Sequence, residues 1–468
     1  MTQEKLTLKG QEAIDLWLQG SDAWNQWVDE HPEADIDFSE VDFSEYRVCE
    51  YIPQEKWPFA GFKFPKGNVN FVIAQFGEGD VHFFNAQFGD GDVRFNGARF
   101  GDGDVSFNGA RFGDGDVSFN GAQFGDGDVN FWVAEFGEGD VRFFNAQFGD
   151  GDVSFNDAQF GDGDVNFRHT TFKGKVLFIG TTLGKGKYDF ESADFAERVI
   201  FDRLINAGAV KAFSCKFATF DKSFQLSADE PFHCVVDLTG TKTTHHVSLA
   251  GLTCHLKTKR PLKLIRSIAR LPGGRPLRRY AWVPLSQYLR QRTMALRWLN
   301  KTRACDPQDA DRFRRLKEIA ENNKDLAQAL EFKAQEIQAG RWHNTTTRWD
   351  RAMEFLFEKL SNYGRSERLP LLWLIVFWLA FAGLYTGLSN TVCRMCIEDK
   401  ISSALIFSAG QMLPFVPSAR EARLSWENVL FLGDRLPGFI YALTFIQSIV
   451  AVGLLFLLGL ALRNRFKL

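Results

Sequence analysis

The sequence predicts a mainly β solenoid, followed by an α-helical C-terminal region that contains two transmembrane helices. Phenylalanine recurs at a fixed interval of twelve residues through the tract 66–172, and two long uncharged apolar stretches lie near the C-terminus. A short fixed period is typical of solenoids, in which stacked neighbours supply the core. An apolar stretch of about 20 residues can cross ~30 Å of hydrocarbon as a helix.

The repeat is set by two series of phenylalanines, spaced seven and five residues apart in turn. The first series is 71, 83, 95, 107, 119, 131, 143, 155 and 167, and the second is 76, 88, 100, 112, 124, 136, 148, 160 and 172. Each unit reads V-x-F-x-x-A-x-F, which alternates apolar and polar residues as a half-buried strand does. Because a buried phenylalanine contributes about 1.5–3 kcal/mol, these side chains can form a core without disulfides or metal.

The segment before this tract resembles a known family. "IDFSEVDFSEYRVCE" at 36–50 is three five-residue units, and "GSDAWNQWVDEHPEADIDFS" resembles the helical cap that often precedes such repeats. Both resemble the pentapeptide-repeat family, whose fold is a right-handed four-sided parallel β-helix. The resemblance implies a cap over 1–35 and a β-helix over 36–256. Since every second unit of the tract carries two extra residues, we expect coils of about 24 residues instead of 20 there.

The motif G-[DE]-G-D-V occurs eight times, starting at Gly77 and ending with the copy at Gly161. Glycine with positive φ and aspartate bonded to its own backbone are typical of an exposed corner, which is our first interpretation. Calcium-binding β-rolls use a nine-residue repeat, so calcium is the alternative. Residues 61–172 carry 18 acidic and 7 basic side chains, a net charge of −11. Some pentapeptide-repeat proteins mimic DNA with an acidic rod, which is a further alternative.

Three large side chains interrupt the repeat. Phe84, Trp132 and Phe144 stand where other units have asparagine, so we expect them to point outward and to form a contact surface. Because "FFNAQFGDGDV" occurs at both 83–93 and 143–153, duplication alone also explains two of them.

The segment 257–308 is a basic linker. Between Lys257 and Arg303 there are 14 Lys or Arg residues and no Asp or Glu. The pattern predicts two or three short amphipathic helices, broken at Pro272-Gly273-Gly274. Such a segment binds anionic lipid, an acidic neighbour or nucleic acid. Lipid is our first choice because membrane segments follow; we expect no nucleic acid partner for the protein.

The region 309–366 is predicted to be helical and cytoplasmic, with one long helix over 309–340. Phe313, Leu316, Ile319 and Leu326 follow helical spacing, as a packing face does. This region and the closing "LLFLLGLALRNRFKL" resemble the C-terminal half of bacterial membrane-anchored pentapeptide-repeat proteins, a group that implies an architecture but no activity.

The membrane domain is predicted over 367–468, with spans at 369–388 and 437–462. Basic residues flank the outer ends of the pair, namely Arg365, Arg368, Arg463, Arg465 and Lys467. The positive-inside rule then places both ends in the cytoplasm. Because the first thirty residues are charged throughout, we expect no cleavable signal peptide. With the family resemblance, this predicts a bacterial inner-membrane protein whose termini and β-helix are cytoplasmic.

Between the spans lies a short apolar segment, 401–417, interrupted by Pro414. A third crossing would move the basic C-terminus outside, so we expect a re-entrant helix. The layout of span, re-entrant helix, polar turn and span is that of the simplest tetrameric cation channels. Ser408, Gly410 and Gln411 are then the candidate pore-lining residues, although their turn lacks the TVGYG filter sequence. An amphipathic helix on the outer surface is the alternative.

One cluster of potential metal ligands lies at 233–255. Cys234 and Cys254 are separated by the length of one plain pentapeptide coil, so they stack face to face if that coil length holds, with His245 and His246 nearby. Zinc is one hypothesis, and cysteines in the solenoid core are the other. Cys393 and Cys396 form either a disulfide in the outer loop or two free thiols.

No catalytic motif is present in the sequence, so we predict no enzyme activity and no obligatory cofactor, with zinc or calcium as secondary hypotheses. Two function classes follow. The first is an oligomeric, channel-like pore, most simply a homotetramer, with a cytoplasmic β-helix that senses or gates. The second is a β-helical scaffold or sensor tethered to the lipid bilayer by its two spans, without conduction.

Overall fold

The computed structural model describes residues 5–46, 59–259, 303–340, 348–389, 397–413, 416–419, 421, 430–431 and 438–466. The predicted basic helices of 257–303, and Cys393 with Cys396, lie outside these residues, apart from the ends of the basic segment. The chain divides into two compact units, which are described separately. The first comprises Met1–Lys259, Thr302–Asp325 and Gln335–Gly340, and the second Arg260–Lys301, Leu326–Ala334 and Arg341–Leu468.

The first unit is a β-solenoid built from three all-parallel sheets, which confirms the predicted fold class. Ladder 1 has nine strands: Thr7–Lys9, Asp35–Asp37, Val69–Asn70, Val93–Arg94, Val117–Ser118, Val141–Arg142, Val165–Asn166, Lys187–Asp189 and Ala212–Ser214. Ladder 2 has five: Gln147–Phe148, Thr171–Phe172, Asp194–Phe195, Thr219–Phe220 and Lys242–Thr243. Ladder 3 has eight: Val81–His82, Val105–Ser106, Val129–Asn130, Val153–Ser154, Val176–Ile179, Val199–Leu204, Phe224–Ala228 and Val247–Ser248.

The register gives the length of a coil. Val69 lies opposite Val93, and Val93 opposite Val117, so one coil of the regular tract consists of two twelve-residue units, as predicted. A fourth ladder of single parallel bridges runs from Lys63 through Gln87 and Arg111 to Ile205. Each coil therefore has four sides, formed in chain order by ladders 1, 2, 3 and 4.

The core follows from the repeat, because the valine, both phenylalanines and the alanine of each unit point inward and are buried, with Thr170 in place of the alanine in the last unit. Equivalent phenylalanines of successive coils stack face to face. Phe95 and Phe119, for example, have ring centroids 4.8 Å apart and planes inclined by 1°. This separation equals the spacing of hydrogen-bonded strands, so backbone ladders and ring stacks have the same repeat. The predicted phenylalanine core is confirmed.

The residue two positions after the first phenylalanine of each unit adopts positive φ. Gly97, Gly109 and Gly121 occupy this corner at φ 65°, and Asn145 at φ 57°. Glycine and asparagine tolerate the left-handed region, which explains the recurring "FNGA" and "FFNA". At Val133 the same corner holds a β-branched residue at φ 56°, where such a side chain is strained.

The N-terminal end of the solenoid is covered by helices α1, Gly10–Leu18, and α2, Ser21–Glu30. Trp24 of α2 is fully buried, and its Nε1 donates to the carbonyl of Lys63 at 2.7 Å. Trp17 of α1 stacks on Phe59, with ring centroids 5.6 Å apart. A short 3₁₀ turn, Phe43–Tyr46, follows. These helices shield the first coil from water and from pairing with another sheet edge.

The C-terminal end is covered by helix α3, Asp309–Asn322, after the chain returns through an antiparallel strand pair, Thr258–Lys259 with Arg303–Ala304. Phe313 and Leu316 of α3 are fully buried. Arg315 of α3 donates to the carbonyl of Thr241 at 2.9 Å, and the Asn323 amide donates to the carbonyl of Val247. The helix thus satisfies backbone groups at the open edge of the last coil.

The predicted single helix over 309–340 is wrong, because α3 ends before helix α4, Leu326–Gly340, begins. Lys324 lies between them in the left-handed region at φ 59°. Its N–H donates to the carbonyl of Glu321, and that of Asp325 to the carbonyl of Ala320, both at 2.9 Å. This pair of hydrogen bonds is typical of the C-terminus of a helix, where the left-handed residue is usually glycine. Because the residue here is lysine, the sequence gave no sign that the helix ends.

The second unit is helical. Helix α5 is Arg348–Ser361, α6 is Arg368–Ser389, α7 is Ile397–Met412 and α8 is Gly438–Phe466. By length and composition α6 and α8 are each able to cross a membrane, and they overlap the predicted spans. The Asn464 amide of α8 donates to the carbonyl of Gly364 just before α6, at 3.1 Å. At the far end, Ile440 of α8 shares an apolar cluster with Phe381 and Tyr385 of α6. The two helices are therefore antiparallel.

Candidate functional site

Helix α7 lies against both α6 and α8 and ends near the middle of α6. The hydroxyl of Ser408, in the last turn but one of α7, donates to the carbonyl of Trp378 at 3.0 Å. Trp378 is the eleventh of the 22 residues of α6. In the final turn, the carbonyl of Gln411 accepts a hydrogen bond from Ser448 of α8 at 3.3 Å. Helix α7 therefore reaches only about half the length of α6.

A chain of polar side chains joins the three helices in their interior. The Tyr385 hydroxyl donates to Oε1 of Gln447 at 2.9 Å. The amide of Gln447 donates to the carbonyl of Ser408 at 3.0 Å and to its hydroxyl at 2.8 Å. Trp378 donates from Nε1 to the carbonyl of Leu405 at 2.9 Å. An unsatisfied polar group among apolar helices costs several kcal/mol, so these contacts stabilise the packing of α7 against α6 and α8.

The predicted pore-lining residues lie inside this three-helix packing. Ser408 is 0% and Gln411 3% exposed, and Gly410 is buried between them. The exposed side chains of α7 and of the residue after it include Ile401, Ile406 and Leu413, which are apolar. The predicted polar turn at 408–411 is wrong, because these residues belong to α7, which continues to Met412. Within one chain they are buried against the neighbouring helices, and the outer surface nearby suits lipid.

The glycines of the G-[DE]-G-D corners are required by close stacking, which corrects our expectation of positive φ at these positions. A Cβ added at Gly103 or Gly115 would lie under 3.0 Å from the backbone of the glycine one coil earlier. Among the eight motif copies, only Gly77 has positive φ. The other positive-φ glycines of the regular tract lie in the "FNGA" corners.

The carboxylates of these corners bond between coils, whereas we expected bonds to their own backbone. Oδ1 of Asp102 accepts from the N–H of Asp126 at 3.3 Å, and Oδ1 of Asp104 from that of Asp128 at 2.8 Å. Each coil carries the motif at two corners, and each motif has two acidic residues. Since the same bonds recur from coil to coil, the acidic side chains form four columns along the solenoid. They are Glu78, Asp102, Asp126, Asp150; Asp80, Asp104, Asp128, Asp152; Asp90, Asp114, Glu138, Asp162; and Asp92, Asp116, Asp140, Asp164.

Each acidic column ends in a lysine. Lys173, Lys175, Lys185 and Lys187 pair with Asp150, Asp152, Asp162 and Asp164 respectively. Hydrogen bonds from Lys185 lower the pKa of Asp162 below its ordinary value. The lysines place positive charge beside the last carboxylate of each column, where like charges one coil apart otherwise repel.

Phe84, Trp132 and Phe144 are exposed, as predicted. Phe84 and Trp132 follow strands of ladder 3, two coils apart, whereas Phe144 follows a strand of ladder 1. Ladders 1 and 3 are opposite sides of a four-sided coil, so the three aromatic side chains do not form one surface. Nε1 of Trp132 donates to Asp157 at 3.1 Å.

The cysteines of 233–255 are out of register with each other. The parallel bridge pairs Cys254 with Phe232 of the coil before it, so Cys234 and Cys254 are not stacked as their spacing in the sequence implied. Burial raises the pKa of Cys234 to about 11, which disfavours the thiolate that zinc requires. His245 bonds with the hydroxyl of Thr244 at 2.9 Å. In the described part of the chain, His246 included, no group of three His, Cys, Asp or Glu side chains is arranged to hold a metal ion.

Sequence reasoning did not identify Trp378, Tyr385 and Gln447 as partners of Ser408. The available signal was Gln447 itself, an amide within a long apolar helix, because such residues usually hydrogen-bond to a neighbouring helix. Comparisons with protein-family models, with curated proteins and with solved structures found no match to this chain.

Proposed function

We propose that this protein is a non-enzymatic scaffold, in which a membrane anchor of α6, α7 and α8 tethers a β-solenoid that binds partner proteins through its sides. The two apolar C-terminal helices indicate membrane association. The observation that carries the anchor role is the burial of Ser408 and Gln411 within a single chain. An anchor requires its polar groups to be satisfied internally, as the hydroxyl of Ser408 and the backbone carbonyl of Gln411 are here.

The proposal that the solenoid binds partner proteins rests on the side chains that it exposes. Residues such as Gln75, Gln123, Gln87 and Gln159 recur on ladders 2 and 4 and point outward. Both ends are covered by helices, so the sides are the surfaces left for binding. Extended surfaces of this kind are what other solenoid proteins use for recognition.

We further propose a bacterial inner-membrane location with the solenoid in the cytoplasm, and membership of the membrane-anchored pentapeptide-repeat proteins. The support is the basic charge at Arg368, Arg463 and Arg465, which flanks the outer ends of both spans. The four-sided coil supports the family assignment, although two twelve-residue units make it longer than the family's usual four pentapeptides.

An oligomeric pore is the second candidate, and one observation favours it: α7 ends about halfway along α6, as a re-entrant helix does. Half-span helices are found where protein or a water-filled path covers their ends. In a pore, the hydroxyl of Ser408 would have to contact water, which requires it to leave Trp378 and Gln447. The side chain of Gln411, which is 3% exposed, would have to leave the interior of the three helices.

Thiol accessibility separates the two candidates. In a chain without native cysteines, Ser408→Cys and Gln411→Cys are placed singly and the protein is reconstituted in nanodiscs. An anchor leaves both unreactive toward a charged, membrane-impermeant thiol reagent, whereas Gln123→Cys on the solenoid reacts fully. Rapid modification of Ser408→Cys, with block of an ion current in bilayers, would establish the pore instead.

Photo-cross-linking tests the scaffold. A photoreactive amino acid is placed at Gln75 or Gln123 on ladder 2, and at Gln87 or Gln159 on ladder 4, in cell membranes. A partner bound to one side gives cross-links from one ladder and not from the other. An absence of protein cross-links from all four positions contradicts a scaffold role.

A further inference from the structure

Helix α5, Arg348–Ser361, carries an exposed apolar stripe immediately before the first membrane helix. Met353 is 50% and Leu356 45% exposed, and half-buried Leu360 continues the same face at helical spacing. Acidic side chains occupy the other face: the hydroxyl of Tyr363 donates to Glu354 at 3.4 Å and to Glu358 at 3.2 Å. The polar face of α5 thus contacts the chain, and its apolar face has no cover within the described part of the second unit.

The position of α5 is fixed by a sharp turn and by both membrane helices. Asn362, Tyr363 and Gly364 are three consecutive residues with positive φ, at 50°, 58° and 77°. Nε1 of Trp373 in α6 donates to the carbonyl of Lys359 at 3.1 Å. Asn464 of α8 donates to the carbonyl of Gly364, and Arg465 pairs with Glu367. Helix α5 therefore lies at the end where the chain enters α6 and leaves α8.

This end is where the lipid–water interface is expected. Trp373 lies in the second turn of α6, and tryptophan is enriched at that level of membrane proteins. The basic residues Arg463 and Arg465 are in the last turn of α8. Exposed Lys359 flanks the apolar stripe, as basic residues do in helices that lie on anionic lipid.

We propose that the Met353–Leu356–Leu360 stripe of α5 inserts into the lipid interface, so that α5 lies in the plane of the membrane. A protein partner explains the exposed stripe less well than lipid does, because the apolar area of the stripe is small. Three such side chains remove on the order of 300 Å² of apolar surface, whereas a stable interface buries about 800 Å² per partner. The lipid interface sets no such minimum for a helix that its neighbours already hold in place.

The proposal rests on the membrane anchor, so its test includes a separate reporter for the anchor. In a chain without native cysteines, the fluorophore NBD is attached singly at Met353→Cys, Leu356→Cys, Glu354→Cys and Ile375→Cys. Ile375 is an exposed residue of α6. Each protein is placed in nanodiscs of phosphatidylethanolamine and phosphatidylglycerol that carry a quencher either near the headgroup or in mid-chain.

The expected result is strong headgroup-level quenching at Met353→Cys and Leu356→Cys, at least twofold greater than at Glu354→Cys, which lies on the other face of α5. Mid-chain quenching at Ile375→Cys reports that the anchor is inserted. If Ile375→Cys is quenched but both stripe positions are not, the proposal fails while the anchor stands. If the stripe positions resist lipid quenchers and aqueous iodide alike, a protein surface covers them, which also overturns the proposal. Absence of quenching at Ile375→Cys overturns the anchor itself.

Discussion

Nε of Arg312 donates to Oδ2 of Asp237 at 2.8 Å. This bond joins α3, the helix that covers the C-terminal end of the solenoid, to a solenoid residue 75 positions earlier in the chain. The same guanidinium donates to Asp306 at 2.7 Å and to Asp309 at 2.8 Å. Burial lowers the pKa of Arg312, but its hydrogen bonds to these three carboxylates outweigh burial and raise that pKa above its ordinary value. One arginine therefore compensates three acidic groups at the end of the solenoid.

Arg312→Met is expected to destabilise the solenoid by about 3–5 kcal/mol, because it leaves Asp237 and Asp309 as buried carboxylates without a cation. Denaturant unfolding of the full chain, followed by circular dichroism, measures the change. Arg314→Met is the matched control, since Arg314 forms exposed pairs with Asp311 and Glu336, for which about 0–1 kcal/mol is expected. Equal effects of the two variants would contradict a buried, compensating role for Arg312.

Gly115→Asn is expected to cost about 3 kcal/mol, because its Cβ would overlap the backbone of Gly91 in the coil before it. Gly121→Asn is the matched control. Gly121 has φ 65° and nothing within 4 Å of an added Cβ, so asparagine fits there as Asn145 does in the next coil. Thermal unfolding compares the two. A larger loss of stability from Gly121→Asn would show that positive φ, and not close stacking, is the reason for glycine at the G-[DE]-G-D corners.

Val133→Asn is expected to stabilise the solenoid by about 1 kcal/mol, because asparagine adopts the left-handed region with less strain than valine. The reciprocal change, Asn145→Val at the equivalent corner, should destabilise it by a similar amount. Both corners are exposed, so packing changes little in either variant. The shift in unfolding free energy measures each effect, and a destabilised Val133→Asn would show that Val133 contributes contacts worth more than its strain.

Acid is expected to weaken the middle of the solenoid through Asp116. Burial raises the pKa of Asp116, but hydrogen bonds from Arg142 and from the N–H of Asp140 lower it below the ordinary 3.8. A carboxyl with a depressed folded pKa stabilises the fold above its unfolded pKa, and that contribution disappears as the pH falls through the folded pKa. Stability should therefore decrease below about pH 4.

Arg142→Gln should flatten this acid-dependent loss, because it removes the cation that holds the carboxyl ionised. Arg111→Gln, which alters an exposed pair with Glu135, is the control. Unfolding free energies measured from pH 3 to pH 6 give the slopes. An unchanged slope in Arg142→Gln would assign the acid sensitivity to other carboxylates.

Tyr385→Phe and Gln447→Leu are expected to be non-additive in their effect on the stability of the second, helical unit. Each single change leaves a buried polar partner unsatisfied, while the double change removes both groups of that bond. The double-mutant cycle should give a coupling energy of about 0.6–1.7 kcal/mol, as for other hydrogen bonds between membrane helices. Detergent-driven unfolding in bicelles measures it, and strict additivity would mean that the bond does not form in lipid.

The spacing of the phenylalanines was enough to predict the coil length and the core, because both depend on a local period. What the sequence did not reveal depends on contacts between coils or helices. The corner glycines are needed because the glycine backbones of successive coils approach closely, and Cys254 faces Phe232 because later coils vary in length. The partners of Ser408 depend on how three helices are rotated against one another, which hydrophobicity alone does not specify.

Because each coil contains two units, one unit corresponds to half a turn around the axis of the solenoid. Both twelve-residue units present the same inward valine, alanine and phenylalanines, so inserting one unit preserves the core while advancing the chain by half a coil. Everything after the insertion, including α3 at the C-terminal end, would turn by about 180° around the axis relative to α1 and α2. Inserting two units would instead lengthen the solenoid by about 4.8 Å and leave the relative direction of its two end helices unchanged.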